Sequence, residues 1–336
     1  MYVKICIYLF ISGLAVITRP PGQGSCSIDS RNGGPLLVTN SSNEANATGK
    51  GLHPWSRADR NRLSIWLAVA FFPPFPLTLA LSLMGRHNNS MLTVQSDLPL
   101  RAVMAFFVAL ATWIVSRMEK RSLDDYGIPP RKAFGRIFCE GSIWGFAALT
   151  APLLLLNRSG HFRIESAALA GSTAFRWALA WGATFIALSL HEELAFRGYL
   201  LFAVARRMRF WPAALLLSVV FGVAHLGNHG ENLLGIVQVV GMGLLFCLMI
   251  RRSGNLWFAI GFHAAWDWAQ TFFYGTPDSG LLGAKRFLNS SLQGPTWLTG
   301  GSAGPEGSVF ALLILLVCAL LIHLRFPNAA YPDRPV

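Results

Sequence analysis

The sequence predicts an all-α fold: a polytopic membrane helical bundle of about eight transmembrane helices. Three observations carry this. Of 336 residues, 53% are hydrophobic and only 13% are charged, against ~25% charged in an ordinary soluble domain. The apolar residues gather into runs close to the ~20 residues that a bilayer-crossing helix requires. Lys and Arg collect in every second connection, the pattern that keeps basic loops on the cytoplasmic side.

Taken in order, the spans fall at 63–84, 100–116, 137–156, 175–197, 211–226, 232–250, 255–273 and 308–324. The first contains "FFPPFP" (71–76) and should kink there, because proline removes backbone donors and crowds the preceding turn. "RADRNR" precedes this span, and "RMEKRSLDDYGIPPRKAFGR" (117–136) joins the second to the third as a structured turn. "ARRMRF" (205–210) joins the fourth to the fifth, "RRSGN" (251–255) the sixth to the seventh, and the last span ends in "HLRF". The alternate connections, 85–101, 157–174, 227–231 and 274–307, are poorer in Lys and Arg. Both ends of the eight-span core are therefore expected in the cytoplasm, with the protein integral to a membrane, the bacterial plasma membrane being the expected one. "GMG" (241–243) on the sixth span suggests close helix contact through small residues. The connection 275–308 is too long and Gly-rich for a tight turn and is either an ordered loop or a flexible one.

Residues 63–328 read as one membrane domain, with its ionisable core at 174–273 and a short tail at 329–336. Residues 1–62 do not fit it. "CIYLFISGLAV" (6–16) has the length of a signal-peptide core, and 20–61 has a linker's composition. A cleaved signal, an extra span and a start codon placed too far upstream all fit the apolar segment. The net charge of +12 is explained by a basic face on an anionic leaflet, so the expected partners are a lipid bilayer and a membrane-associated peptide or protein, with no nucleic acid. The five cysteines form no C-x-x-C pair and read as packing residues.

Ionisable groups at membrane depth cost ~2.5–3.5 kcal/mol each on insertion scales and mark function by default. Here they cluster on three spans. "HEELAFR" supplies His191, Glu192, Glu193 and Arg197; "FGVAH" supplies Phe221 and His225; "HAAWD" supplies His263 and Asp267. Residues four apart share a helix face, so Glu193 can pair with Arg197, Asp267 can bond the His263 ring, and Phe221 can wall a pocket for His225. Glu192 is turned ~100° from Glu193 and can face a different space. At 1.5 Å per residue His263 lies ~12 Å and His225 ~21 Å from the basic ends of their spans, depths at which they can meet Glu192. A carboxylate and two imidazoles in a dry cavity suit the activation of water, with the imidazoles holding a metal or stabilising an oxyanion. His191 does not complete an H-E-x-x-H zinc motif, since position 195 is Ala, and it reads as a bystander. His229 and Glu231 read as solvated loop residues.

"EELAFR", "FGVAH" and "HAAWD", in that order, resemble the three motifs of the CPBP family of intramembrane proteases, which comprises CAAX proteases and bacteriocin-processing enzymes (the Abi proteins). "QGPTWLTGGSAGPEGS" resembles a loop of a bacterial subgroup. The resemblance implies a CAAX-protease-like intramembrane endopeptidase, a hydrolase of the metalloprotease type. Glu192 would be the water-activating base, Glu193 with Arg197 would orient it, and His225 and His263 would complete the site. Asp267 stands where the eukaryotic members carry Asn. A Zn2+ ion held by His225, His263 and Glu192 is the implied cofactor. Two other classes fit the same residues: a proton- or cation-coupled transporter, which would usually show duplicated halves, and a non-catalytic membrane scaffold.

Overall fold

A computed structural model describes residues 55–76, 91–228, 230 and 232–333. The N-terminal apolar segment, most of the linker after it, His229 and Glu231 lie outside the described residues.

Nine helices frame the chain among these residues. Helix α1 (Arg57–Phe71) starts at a capping box in which the Ser56 hydroxyl accepts from the Asp59 N–H, while the Ser56 N–H donates to the Asp59 carboxylate. This satisfies two groups that a helix start leaves bare. It stops at Phe71, and a turn covers 72–74, where the prolines stand. Helix resumes at 75–76, so the chain breaks its helix at Pro73 and Pro74. A short strand β1 (Met91–Leu92) leads into α2 (Val94–Glu119). Two 3-10 turns, Leu123–Tyr126 and Pro130–Lys132, shape the basic connection to α3 (Arg136–Arg158). Strand β2 (Phe162–Ala167) follows, then α4 (Gly171–Arg197) and α5 (Tyr199–Met208). Helices α6 (Phe210–His225), α7 (Leu233–Ser253) and α8 (Leu256–Trp268) complete the motif-bearing core. After strands β3 (Leu282–Gly283) and β4 (Leu288–Leu292), α9 (Val309–Arg325) closes the bundle.

Two expectations are met in part. Four helical stretches are long and apolar enough to cross a membrane among the described residues, Val94–Glu119, Arg136–Arg158, Gly171–Met208 and Leu233–Ser253, so eight spans are not confirmed. Helices α6 and α9 have 16 and 17 residues, and α8 has 13 before it widens into a π turn, Ala269–Phe273. The bounds agree with the expected 211–226, 308–324 and 255–273 to within one residue, but these stretches are shorter or less regular than a ~20-residue span. The fold is also not purely helical. β1 pairs in parallel with β3, and β2 pairs antiparallel with β4. These small sheets pin the connection at 274–307, which is ordered, onto the end of the bundle opposite the basic turns.

Glycine decides how closely the site-bearing helix packs. Helix α8 lies most extensively on α3, and the contact runs through Gly141, Gly145 and Gly261. A Cβ on Gly145 would stand 2.0 Å from the Phe262 carbonyl oxygen, and one on Gly261 2.2 Å from that of Phe138. Apolar burial adds little between helices in lipid, so such backbone-to-backbone approach, through dispersion, holds them together. At the basic end the Glu119 carboxylate accepts from Arg206 at 2.9 Å and from the Tyr126 hydroxyl at 2.6 Å, with Arg62 at 3.8 Å. Asp59 pairs with Arg207 beside it. These bonds fix α1, α2 and α5 relative to one another.

Candidate active site

Helix α4 carries the first pair of acids, and their one-step rotation separates their surroundings as the spacing suggested. The Glu193 side chain is fully buried, whereas 14% of the Glu192 side chain is exposed. One turn on, Arg197 donates from Nη1 to Glu193 Oε1 at 3.0 Å, with both side chains sealed from solvent. The Arg197 guanidinium lies over the Phe221 ring at 4.3 Å, an arrangement that stabilises a desolvated cation. Gly243 makes the room: a Cβ there would stand 2.7 Å from Arg197 Nη2 and 2.9 Å from the Ser218 side chain. The small residues of "GMG" therefore serve a buried arginine as well as helix contact. Gly198 ends α4 immediately after Arg197, and a Cβ there would meet the Leu194 carbonyl oxygen at 2.5 Å.

Helix α8 brings His263 against both acids. Its Nδ1–H donates to Glu193 Oε1 at 3.0 Å. Its Nε2 then faces Asp267 Oδ2 at 3.4 Å and Glu192 Oε2 at 3.9 Å. The ring stacks on Phe246 of α7, centroid to centroid at 5.3 Å. The tautomer-fixing partner is thus Glu193, from another helix. Asp267, on the ring's own helix, lies beside the opposite nitrogen.

His225 is the last residue of α6. Its Nδ1–H donates to the Phe221 carbonyl oxygen at 2.7 Å, and its ring meets the Phe221 ring edge to face at 4.5 Å. This bond leaves the lone pair on Nε2. His225 lies within electrostatic range of Glu192 and His263. His191 is buried, and its Nδ1 has no hydrogen-bond partner.

Two charged residues that the sequence reading did not single out enter the site. Arg101 stands in the sequence where the connection 85–101 meets the span 100–116, and in the structure it is the eighth residue of α2. Its Nη1 stands 3.5 Å from Glu192 Oε1. The sequence signal was the Thr93–Asp97 pair, in which the Thr93 N–H donates to the Asp97 carboxylate at the helix start. Asp278 belongs to the long connection and is buried, accepting from the Thr271 hydroxyl at 2.8 Å. Burial pushes its carboxyl up to about 6, against the opposing pull of that hydrogen bond and of His263. The connection is stitched down around it: Gln270 Nε2 donates to the Pro277 carbonyl at 2.7 Å, and the Ala284 N–H to that of Leu92 at 2.9 Å.

The cluster places a partly exposed carboxylate next to an imidazole whose far nitrogen is fixed. That arrangement can take a proton from water and return it. The zinc expectation does not fit the side chains as they stand. No group of three or more His, Cys, Asp or Glu is gathered to hold a metal ion among the described residues. Arg101 also occupies one approach to Glu192, and Glu193 takes one nitrogen of His263.

Residues 174–269 match the family model for the type II CAAX prenyl endopeptidases, Rce1-like. No curated protein matches the chain. The matched stretch contains Glu192, Glu193, Arg197, His225, His263 and Asp267, while Arg101 and Asp278 fall outside it. Residues 174–269 thus carry a match to the CPBP/CAAX protease family.

Proposed function

We propose that the protein is an intramembrane endopeptidase that hydrolyses a peptide bond near the cytoplasmic side of the membrane, with Glu192 as the base. The family match supports a CAAX-type protease acting on a membrane protein or peptide. The observation that carries the mechanism is the convergence of Glu192 and His263 from α4 and α8, beside a carboxylate that remains partly exposed.

In this reading a water molecule binds at Glu192. The carboxylate takes one of its protons as the oxygen attacks the scissile carbonyl, forming a tetrahedral oxyanion. His263, carrying a proton on Nε2 as well as on Nδ1, donates to that oxyanion, a contribution that comes from a donor fixed in advance, and His225 completes the site beside it. Glu193 and Arg197 hold the His263 ring through Nδ1. Glu192 then delivers its proton to the departing nitrogen as the C–N bond breaks, leaving a carboxylic acid and an amine. Asp267 orients the Nε2 side of His263. Every step rests on side chains, and none is routed through a metal.

The continuous row of charges from Arg101 through Glu192 and His263 to Glu193 also suits a proton relay, the transporter reading. Purified protein in liposomes separates the two: wild type is expected to cleave members of a library of membrane-anchored and prenylated peptides, and Glu192→Ala to cleave none. Proton-coupled uptake without any cleavage contradicts the protease reading.

A further inference from the structure

Arg101, like Asp278, is a charged residue of the site that lies outside the family match, and its surroundings are specific. Its Nη1 is 3.5 Å from Glu192 Oε1 on the open side of the cluster, with 29% of its side chain exposed. Arg197, the other arginine of the site, is fully buried behind Glu193 and does not approach Glu192 through any described bond. Arg101 also lies within electrostatic range of His191, Glu192, His225, Asp267 and Asp278.

Its placement is built into the fold. The strand just ahead of α2 pairs Met91 with Leu282 and Leu92 with Gly283. That pairing fixes the start of α2 to the connection that carries Asp278, so Arg101 and Asp278 reach the cluster from two tethered elements. Asp267 and Asp278 lie within electrostatic range of Glu192, and nearby like charges oppose ionisation. A guanidinium at 3.5 Å offsets them and, with its planar fork, limits how the carboxylate turns.

We propose that Arg101 is a positioning residue that acts through Glu192, holding the carboxylate in the orientation that takes a proton from water. The proposal rests on the endopeptidase reading. Arg101 does not contact the scissile bond in this account, so its loss lowers kcat and leaves substrate binding nearly unchanged.

The test compares wild type, Arg101→Lys, Arg101→Gln, Glu192→Gln and the double variant Arg101→Gln/Glu192→Gln, all as full-length protein in liposomes with a prenylated or membrane-anchored peptide that wild type cleaves. Misplacing a reacting group by ~1 Å costs on the order of 100-fold. Arg101→Gln is therefore expected to lose about 10–100-fold in kcat with KM within about 3-fold. Arg101→Lys, which keeps the charge but not the fork, is expected to fall between. Adding Arg101→Gln to Glu192→Gln should cause no further loss, and guanidinium ion should restore part of the Arg101→Gln rate. Thermal unfolding of Arg101→Gln should match wild type, and if it does not, Arg101→Lys carries the comparison. Wild-type kcat in Arg101→Gln, or a rise in KM with kcat unchanged, overturns the positioning role while leaving Glu192 as base. Loss of rate in Arg101→Gln without loss in Glu192→Gln overturns both.

Discussion

The Nδ1–H of His263 donates to Glu193 Oε1 at 3.0 Å, joining two helices whose residues lie 70 apart in the chain. The same oxygen accepts from Arg197 at 3.0 Å. Glu193 is thus the fixed point of the site: sealed, neutralised by one partner and holding the ring of the other.

Removing one partner of a sealed ion pair strands the other charge, which costs about 3–5 kcal/mol, whereas replacing both by apolar residues is often neutral. Arg197→Met is therefore expected to melt well below wild type in detergent. Arg197→Met combined with Glu193→Leu should recover much of that stability without recovering cleavage, since His263 still lacks its Nδ1 acceptor. Recovery of both would show that Glu193 serves the fold alone.

Gly261→Ala tests whether backbone contact sets the position of His263. Its Cβ would enter the Phe138 carbonyl oxygen at 2.2 Å, and overpacking of a close interface costs about 1–3 kcal/mol or more. Both melting temperature and cleavage are expected to fall. A substitution at Gly160, where a Cβ meets nothing within 4 Å, tests the opposite case; left-handed backbone at φ +78° adds only a local cost there, so cleavage should persist.

Asp278 gives a pH dependence with a definite sign. Its carboxyl is raised to about 6 in the folded protein, above the ~3.9 of an unfolded chain. The folded state binds the extra proton, so the stability it contributes is full below about pH 4 and lost as pH rises through about 6. Asp278→Asn should match wild type near pH 4 and be more stable above pH 7, by at most about 3 kcal/mol at 1.36 kcal/mol per pH unit. Chemical denaturation across that range measures it. Parallel curves for the two proteins would contradict the assignment.

Chelation addresses the zinc expectation. Because Glu192 and His263 are engaged by Arg101 and Glu193, cleavage is expected to continue in a chelator at concentrations that strip tight zinc sites. Loss on chelation with recovery on adding Zn2+ would require these side chains to rearrange around the ion.

Much of the site could be read in the sequence because helix periodicity is short-range. Four-residue spacing led from the sequence to the Glu193–Arg197 bond and to the Phe221–His225 contact. It also placed Asp267 beside His263, but it did not report that Glu193 holds the opposite nitrogen of the ring. That contact comes from another helix, and no local period reports it. Arg101 and Asp278 were missed for a related reason: charge at the edge of an apolar run reads as loop, and only the strand pairings of 91–92 and 282–283 fold those edges inward. The Gly141, Gly145 and Gly261 contact was not singled out either, since small residues announce a close approach without naming the partner. Hydropathy placed the bounds of the helices at 210–225 and 309–325 within a residue, but it did not report the π turn at Ala269–Phe273.

The central claim is that Glu192 activates water while Glu193 holds His263. The most direct measurement is single-turnover cleavage of one prenylated or membrane-anchored peptide by wild type and Glu192→Gln in liposomes, with hydrolysis followed by incorporation of 18O from labelled water. The account predicts one 18O atom in the new carboxyl group with wild type, and no product with a folded Glu192→Gln protein. Product formed by Glu192→Gln at the wild-type rate would contradict it.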